Sequence, residues 1–166
     1  DRLMYVYART TCSSGQCGTD LRDLWQFDFG ALAWTRIEYQ GGAQGGRAYH
    51  SAIYDRPRNR MVVFAGSRTN DETGYNDTWA FDLATQTWSH LNPEGPAPPV
   101  RFGQVAVYDA RDQRMIVYGG RTGLVFYNDV WSFDLVAERW ERLRSGEEGE
   151  LALQPAGRSN ACAAYV

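Results

Sequence analysis

Arg47, Arg101 and Arg158 stand 54 and 57 residues apart in a chain of 166 residues. Guanidiniums brought to one mouth by such spacing could grip a carboxylate or an acidic peptide, because the planar fork donates two parallel hydrogen bonds. The alternative is structural: each Arg pairs with an acidic residue or a loop carbonyl of its own unit. Asp77 and Asp129, each preceded by Asn, are of the type used in acid–base work. They recur at matching positions with Asp23, so turn and inter-strand bonding is the competing reading. The two histidines, His50 and His90, could act as bases or metal ligands. His50 follows Arg47 by three residues, and the matching positions hold Gln104 and Ala161, so no His cluster forms. Cys12 and Cys17 lie in a Gly/Ser-rich stretch at a spacing that could close a small disulfide ring. Such a bond would imply an oxidising, extracytoplasmic compartment. Cys162, in an apolar stretch, reads as a small buried hydrophobe.

Composition removes several chemistries. Lys is absent, so all 17 cationic side chains are Arg and no Lys is available for a Schiff base or a phosphate anchor. The formal net charge is −3 with no stripe of one sign, which argues against a nucleic-acid partner. No stretch is apolar for long enough to span a bilayer as a helix. No Zn-type ligand spacing, phosphate loop or Ser/His/Asp set is present, and no residue is assigned a catalytic role. No cofactor or metal is expected. Asp1-Arg2 runs straight into an apolar strand and Tyr165-Val166 stops in mid-strand, so the chain reads as a piece of a longer one.

The elements that would position these residues are repeated. Asn76-Asp77-Thr78-Trp79-Ala80-Phe81-Asp82 is followed by Trp88, and Asn128-Asp129-Val130-Trp131-Ser132-Phe133-Asp134 by Trp140. A degenerate copy, Arg22-Asp23-Leu24-Trp25-Gln26-Phe27-Asp28, is followed by Trp34. The two Trp are nine residues apart in each copy, which accounts for all six in the chain. Met4, Met61 and Met115 correspond as well. Each unit reads as four strands. The first is small and apolar (Ala48 to Tyr54, Phe102 to Tyr108, Ser159 to Val166). The second is a continuous apolar run such as Met61 to Gly66, which implies burial on both faces. The third carries the Asp-x-Trp-x-Phe-Asp pattern, and the fourth is centred on Trp88 or Trp140. Turns headed by Asp join third to fourth.

An Arg-led first strand, Gly119-Gly120, Asn128-Asp129, Trp131, Phe133-Asp134 and Trp140 together resemble the kelch repeat. The middle copy has Ala65-Gly66 in place of Gly-Gly. The first copy departs at Ala8-Arg9 and at Arg22-Asp23. The resemblance implies an all-β fold, a β-propeller of four-stranded antiparallel blades around a channel. Residues 1–46 would supply strands two to four of a degenerate blade, 47–100 and 101–157 complete blades, and 158–166 the first strand of a further or ring-closing blade. Three blades do not close a ring, since propellers take about four to eight. The rest would come from a longer chain, or from a second copy closing a six-bladed ring.

The resemblance and the loop lengths point to one rim. The connections 10–22, 40–46, 67–76, 92–100, 121–128 and 144–157 are long and emerge together, and functional residues concentrate on such loops. The reading is a non-catalytic protein-interaction scaffold. Its candidate partner-binding residues are Arg9, Arg47, Arg68, Tyr75, Arg101, Arg121, Phe126, Tyr127 and Arg158. Tyr75 and Tyr127 both precede Asn-Asp, so packing the loop base is their alternative role. Trp25, Trp34, Trp79, Trp88, Trp131, Trp140, Asp77 and Asp129 are expected to be structural. The partner would be another protein or the remaining blades of the same propeller. The family also contains copper-radical oxidases and sugar epimerases, so a carbohydrate-active site at the channel mouth is the second reading.

Overall fold

The computed structural model describes residues 2–9, 22–41, 46–67, 74–146 and 155–166. Their regular structure is β apart from one 3-10 turn at Arg56–Arg58. Three antiparallel sheets follow one another along the chain. The first holds β1 (Leu3–Arg9), β2 (Arg22–Asp28) and β3 (Ala33–Arg36) in that order. The second holds β4 (Ser51–Asp55), β5 (Arg60–Phe64), β6 (Thr78–Asp82) and β7 (Thr87–Leu91). The third holds β8 (Val105–Asp109), β9 (Arg114–Tyr118), β12 (Val130–Asp134) and β13 (Arg139–Arg144). A two-stranded ribbon, β10 (Arg121–Thr122) with β11 (Val125–Phe126), rises between β9 and β12.

Local chemistry sets these meanders. Met61 pairs with Phe81 and Phe81 with Trp88, so three side chains line one face, while Val62 and Ala80 line the other. Asp82 Oδ1 accepts the N–H groups of Ala84 and Thr85, and Asp134 Oδ1 those of Val136 and Ala137. Asp28 closes its turn in the same way onto Gly30 and Ala31. Each turn then passes through a left-handed residue, Leu32, Gln86 or Glu138, before re-entering a strand.

The sheets pack face to face, and the core lies between them. Tyr7, Leu24 and Ile37 of the first sheet meet Met61, Val63, Trp79, Phe81 and Trp88 of the second. Ile53, Val62, Phe64, Ala80 and Leu91 on the other side of the second sheet meet Met115, Val117, Trp131, Phe133 and Trp140. The inner strands β4 and β8 also touch. This is the radial stacking of propeller blades, with the middle blade covered on both sides.

Three expectations are corrected. Ser159 to Val166 forms no strand, because no partner strand lies beside it among the described residues. Cys162 is exposed, not buried, because no further sheet among the described residues covers that segment. Burial on both faces of the second strand holds for β5 alone. Only alternate residues of β9 are buried, and Leu3, Met4 and Val6 on β1 are exposed. The sequences are alike; the neighbouring sheets are not.

Candidate functional site

The rim that joins second to third and fourth to first strands is built on two matching clusters. Arg101 reaches from the segment before β8 and donates Nη1 and Nη2 to the two carboxylate oxygens of Asp129, at 2.7 Å each. Its Nη1 also donates to Gly119 O at 2.9 Å, and its Nε to Pro99 O at 3.1 Å. Trp131 Nε1 donates to Asp129 Oδ2 at 2.7 Å, and the Arg101 guanidinium lies 4.3 Å from the Tyr127 ring centre. The middle blade repeats this except at Nε, since the Arg47 Nε is buried without a hydrogen-bond partner among the described residues. Arg47 meets Asp77 at 2.6 and 2.8 Å and Ala65 O at 3.0 Å, Trp79 bonds Asp77 at 2.7 Å, and Tyr75 lies 4.7 Å over the guanidinium.

Both guanidiniums are fully buried. Their donors already satisfy a carboxylate and a carbonyl within the blade. That is the structural alternative stated for them, and Tyr75 and Tyr127 sit at the loop base as its lids. Burial pushes the Asp77 carboxyl up, but the hydrogen bonds and charge of Arg47, helped by the Trp79 indole, outweigh it and hold it below its ordinary value. Arg158 has the same backbone setting, with Nε donating to Ala156 O at 3.0 Å, yet it is exposed.

The Gly-Gly signal also has a local reason. Gly119 and Gly120 take φ of 69° and 91°, and a Cβ on Gly120 would stand 2.9 Å from Gln104 Cβ. The middle copy's Ala65 adopts φ of 58°, a left-handed setting that Ala tolerates at some cost. Its following Gly66 is as tightly enclosed as Gly120.

His50 and Gln104 occupy one repeat position near the inner strands. The Gln104 amide donates to Ser51 Oγ at 3.1 Å and Phe64 O at 3.0 Å, tying the third blade to the second. His50 packs 5.4 Å from Tyr7, and burial, then the Arg47 charge, pushes its imidazole down to about 4. His90 is exposed and stacks 4.8 Å from Trp79. The two histidines therefore do not form one site. Among the described residues no three His, Cys, Asp or Glu side chains are grouped so as to hold a metal ion.

The β10–β11 ribbon places Arg121 and Phe126 opposite each other. Arg121 lies 4.6 Å over the Phe102 ring and donates to Gly123 O at 2.8 Å, leaving Phe126 half exposed. The ribbon tip carries two residues absent from the sequence-based set, Leu124 and Val125, which are 85% and 57% exposed. Their signal was an apolar run, Leu124-Val125-Phe126, in a loop whose middle-blade counterpart is polar throughout. Cys12, Cys17 and Arg68 lie outside the described residues, as does the side chain of Arg9.

The KLHDC2/KLHL20/DRC7 Kelch-repeats domain model matches residues 2–166. The chain belongs to the kelch-repeat family. The curated kelch relatives it resembles are diverse. It is 34% identical over 103 residues to dynein regulatory complex subunit 7 of Chlamydomonas reinhardtii, covering 62% of this chain and 9% of that protein. It is 30% identical over 128 residues to a leucine-zipper-like transcriptional regulator 1 homolog of Drosophila melanogaster, covering 75% and 12%. It is also 30% identical over 118 residues to an N-(sulfonatooxy)prop-2-enimidothioate sulfolyase of Thlaspi arvense, covering 69% and 32%. The chain thus spans between about a tenth and a third of these relatives' lengths. These relatives are named as a regulatory-complex subunit, a transcriptional-regulator homolog and an enzyme, so similarity to them does not fix one function. No helix among the described residues is long and apolar enough to cross a membrane.

Proposed function

We propose that these blades form a protein-recognition scaffold whose contact surface is the loop rim of the third blade. The observation that carries this reading is the ribbon tip, where Leu124, Val125 and Phe126 stay exposed on a two-stranded ribbon. The buried Arg101–Asp129 pair and the Tyr127 lid brace the base of that ribbon, with Tyr127 N–H donating to Gly120 O at 2.9 Å. An apolar tip held in place loses little conformational freedom on binding. Arg121 and Tyr127 add the residue types enriched in binding hot spots. The partner is another protein, and a protein segment with an apolar side chain flanked by acidic groups suits this chemistry. A carbohydrate-active site has less support, because the histidines are apart and Arg47 and Arg101 are already paired with Asp77 and Asp129.

The test compares the two rims in the full chain. A photo-crosslinking residue replaces Leu124 or Phe126 on the loop rim, or Ala84 or Val136 on the turn rim. Crosslinks to another protein are expected from the loop rim and lost on Phe126→Asp. Equal capture from both rims, or capture unaffected by Phe126→Asp, overturns the reading.

A further inference from the structure

Arg121 has an aromatic neighbour on each side at one level of the loop rim. Phe126 is its partner across the β10–β11 ribbon, and Phe102 is its partner across an antiparallel bridge on the other side. That bridge is closed by Phe102 N–H to Arg121 O and Arg121 N–H to Phe102 O, both at 2.9 Å. Residues directly opposite each other point to the same face, so Phe102, Arg121 and Phe126 form one row. The Arg121 guanidinium lies 4.6 Å from the Phe102 ring centre. Tyr49 of the middle blade extends the row, with its ring 6.1 Å from that of Phe102. The row therefore crosses the seam between the second and third blades.

The repeat does not dictate this row. The middle blade has the same bridge between Ala48 and Ser67, with 2.8 Å hydrogen bonds in both directions, and so carries neither ring nor charge there. Tyr49 is also out of keeping with its position. Its φ is 56°, and the matching residues are Gly103 and Asn160, types that enter the left-handed region at least cost. Tyr49 nonetheless holds a ring there that is 49% exposed, so burial offsets little of the strain. Backbone strain of this kind concentrates at ligand contacts.

Arg121 supplies the polar part of the row. Phe102 is buried against it, and Gly123 O takes an Nη1 hydrogen at 2.8 Å, which together fix the guanidinium plane. Among the described residues no carboxylate pairs with Arg121, in contrast to Arg47 and Arg101. A planar guanidinium held this way offers its remaining N–H groups to an incoming carboxylate. Phe126, also half exposed, ends the row at the ribbon, and Tyr49 ends it at the seam. By strand spacing the row is roughly 15 Å long, the reach of about five extended residues.

We infer that this row is the seat of an extended protein segment, with an acidic side chain on Arg121 and apolar side chains two residues before and two residues after it on Phe126 and Tyr49. Alternate residues of an extended segment face one way, which sets that spacing. This seat rests on the loop-rim reading, gives its acidic and apolar contacts separate places, and adds Tyr49 to the contact set.

Selection of random dodecapeptides, displayed with their C-termini fused, against the full chain tests the seat. Enrichment of Asp or Glu with apolar residues at both second-neighbour positions is expected. Arg121→Gln should lose the acidic preference and keep both apolar ones. Tyr49→Asn should lose one apolar preference and keep the acidic one, with a melting temperature no lower than that of the parent chain. In solution, the selected peptide with blocked ends should bind Arg121→Gln at least about tenfold more weakly, as for a lost hydrogen bond to a charged group. Parent-like selection by both variants, or a lower melting temperature for Tyr49→Asn, overturns the composite row while leaving the loop-rim crosslink to stand. Equal or tighter binding of a peptide whose acidic residue is changed to its amide and whose C-terminus is freed also overturns it. No enrichment on the parent chain overturns the row, and loss of the loop-rim crosslink as well removes the reading beneath it.

Discussion

Arg101 presents its whole guanidinium edge to Asp129, Nη1 to Oδ1 and Nη2 to Oδ2 at 2.7 Å, with Arg101 fully buried and the Asp129 side chain 8% exposed. Removing one partner leaves an uncompensated charge in the blade. Asp129→Ala should destabilise the chain by about 3–5 kcal/mol, and the double variant Arg101→Met with Asp129→Leu by clearly less, because it buries no orphan charge. Asp77, whose side chain is 22% exposed, admits water, so Asp77→Ala should cost less than Asp129→Ala. Denaturant unfolding of the variants checks the order; the reverse order would refute the solvent-access argument.

His50 makes stability depend on pH in a window of its own. Its folded imidazole titrates at about 4 against about 6.5 when unfolded, chiefly because burial disfavours the charged ring. The unfolded chain therefore binds a proton first as pH falls. Stability is complete above about pH 6.5 and declines toward pH 4 by up to about 1.4 kcal/mol per pH unit. Asp77, held below its ordinary value, adds a separate loss that begins only nearer pH 4. His50→Gln, the residue type found at the matching Gln104, should flatten the upper window alone. Melting temperature against pH for both proteins reads this out, and parallel curves would remove His50 as the cause.

The same tryptophan position should behave differently in different blades. Trp140 is 1% exposed, stacks on Phe64 and Phe133, and donates to Thr78 Oγ1 at 3.2 Å. Trp140→Ala should cost about 3–5 kcal/mol. Trp34 is 51% exposed, so Trp34→Ala should cost the chain well under half of that. Denaturant unfolding of both variants ranks them, and equal losses would mean that Trp34 is covered in solution.

Gly120 should not accept a side chain. Its φ of 91° is strained for any L residue, and the added Cβ would meet Gln104 Cβ at 2.9 Å and Phe102 O at 3.1 Å. Gly120→Ala should destabilise by about 1–3 kcal/mol. Gly95, with φ of 85° but nothing within 4 Å of its Cβ, separates the two effects, since Gly95→Ala carries only the backbone part. Thermal unfolding of both variants should rank Gly120→Ala as the more damaging.

Short-range repetition makes the architecture legible in the sequence itself. The nine-residue Trp spacing, the Asp-headed turns and the alternation of Trp79 and Phe81 are local patterns, and the strands and hairpins follow from them. The recurrence of Arg and Asp in register likewise permitted the structural reading that Arg47 and Arg101 take. What the sequence could not contain is which copy has a neighbour. Trp34 and Trp140 occupy one repeat position, as do Arg101 and Arg158, yet one of each pair is buried and the other exposed. Cys162 sits in an apolar stretch and is exposed, and Leu124 is core-like in type but stands at a ribbon tip. Burial is a property of two surfaces meeting, and the second surface is distant in the chain. The repeat therefore determined the blades, and only the packing of one blade on the next decided which of their side chains are core and which remain available for contact.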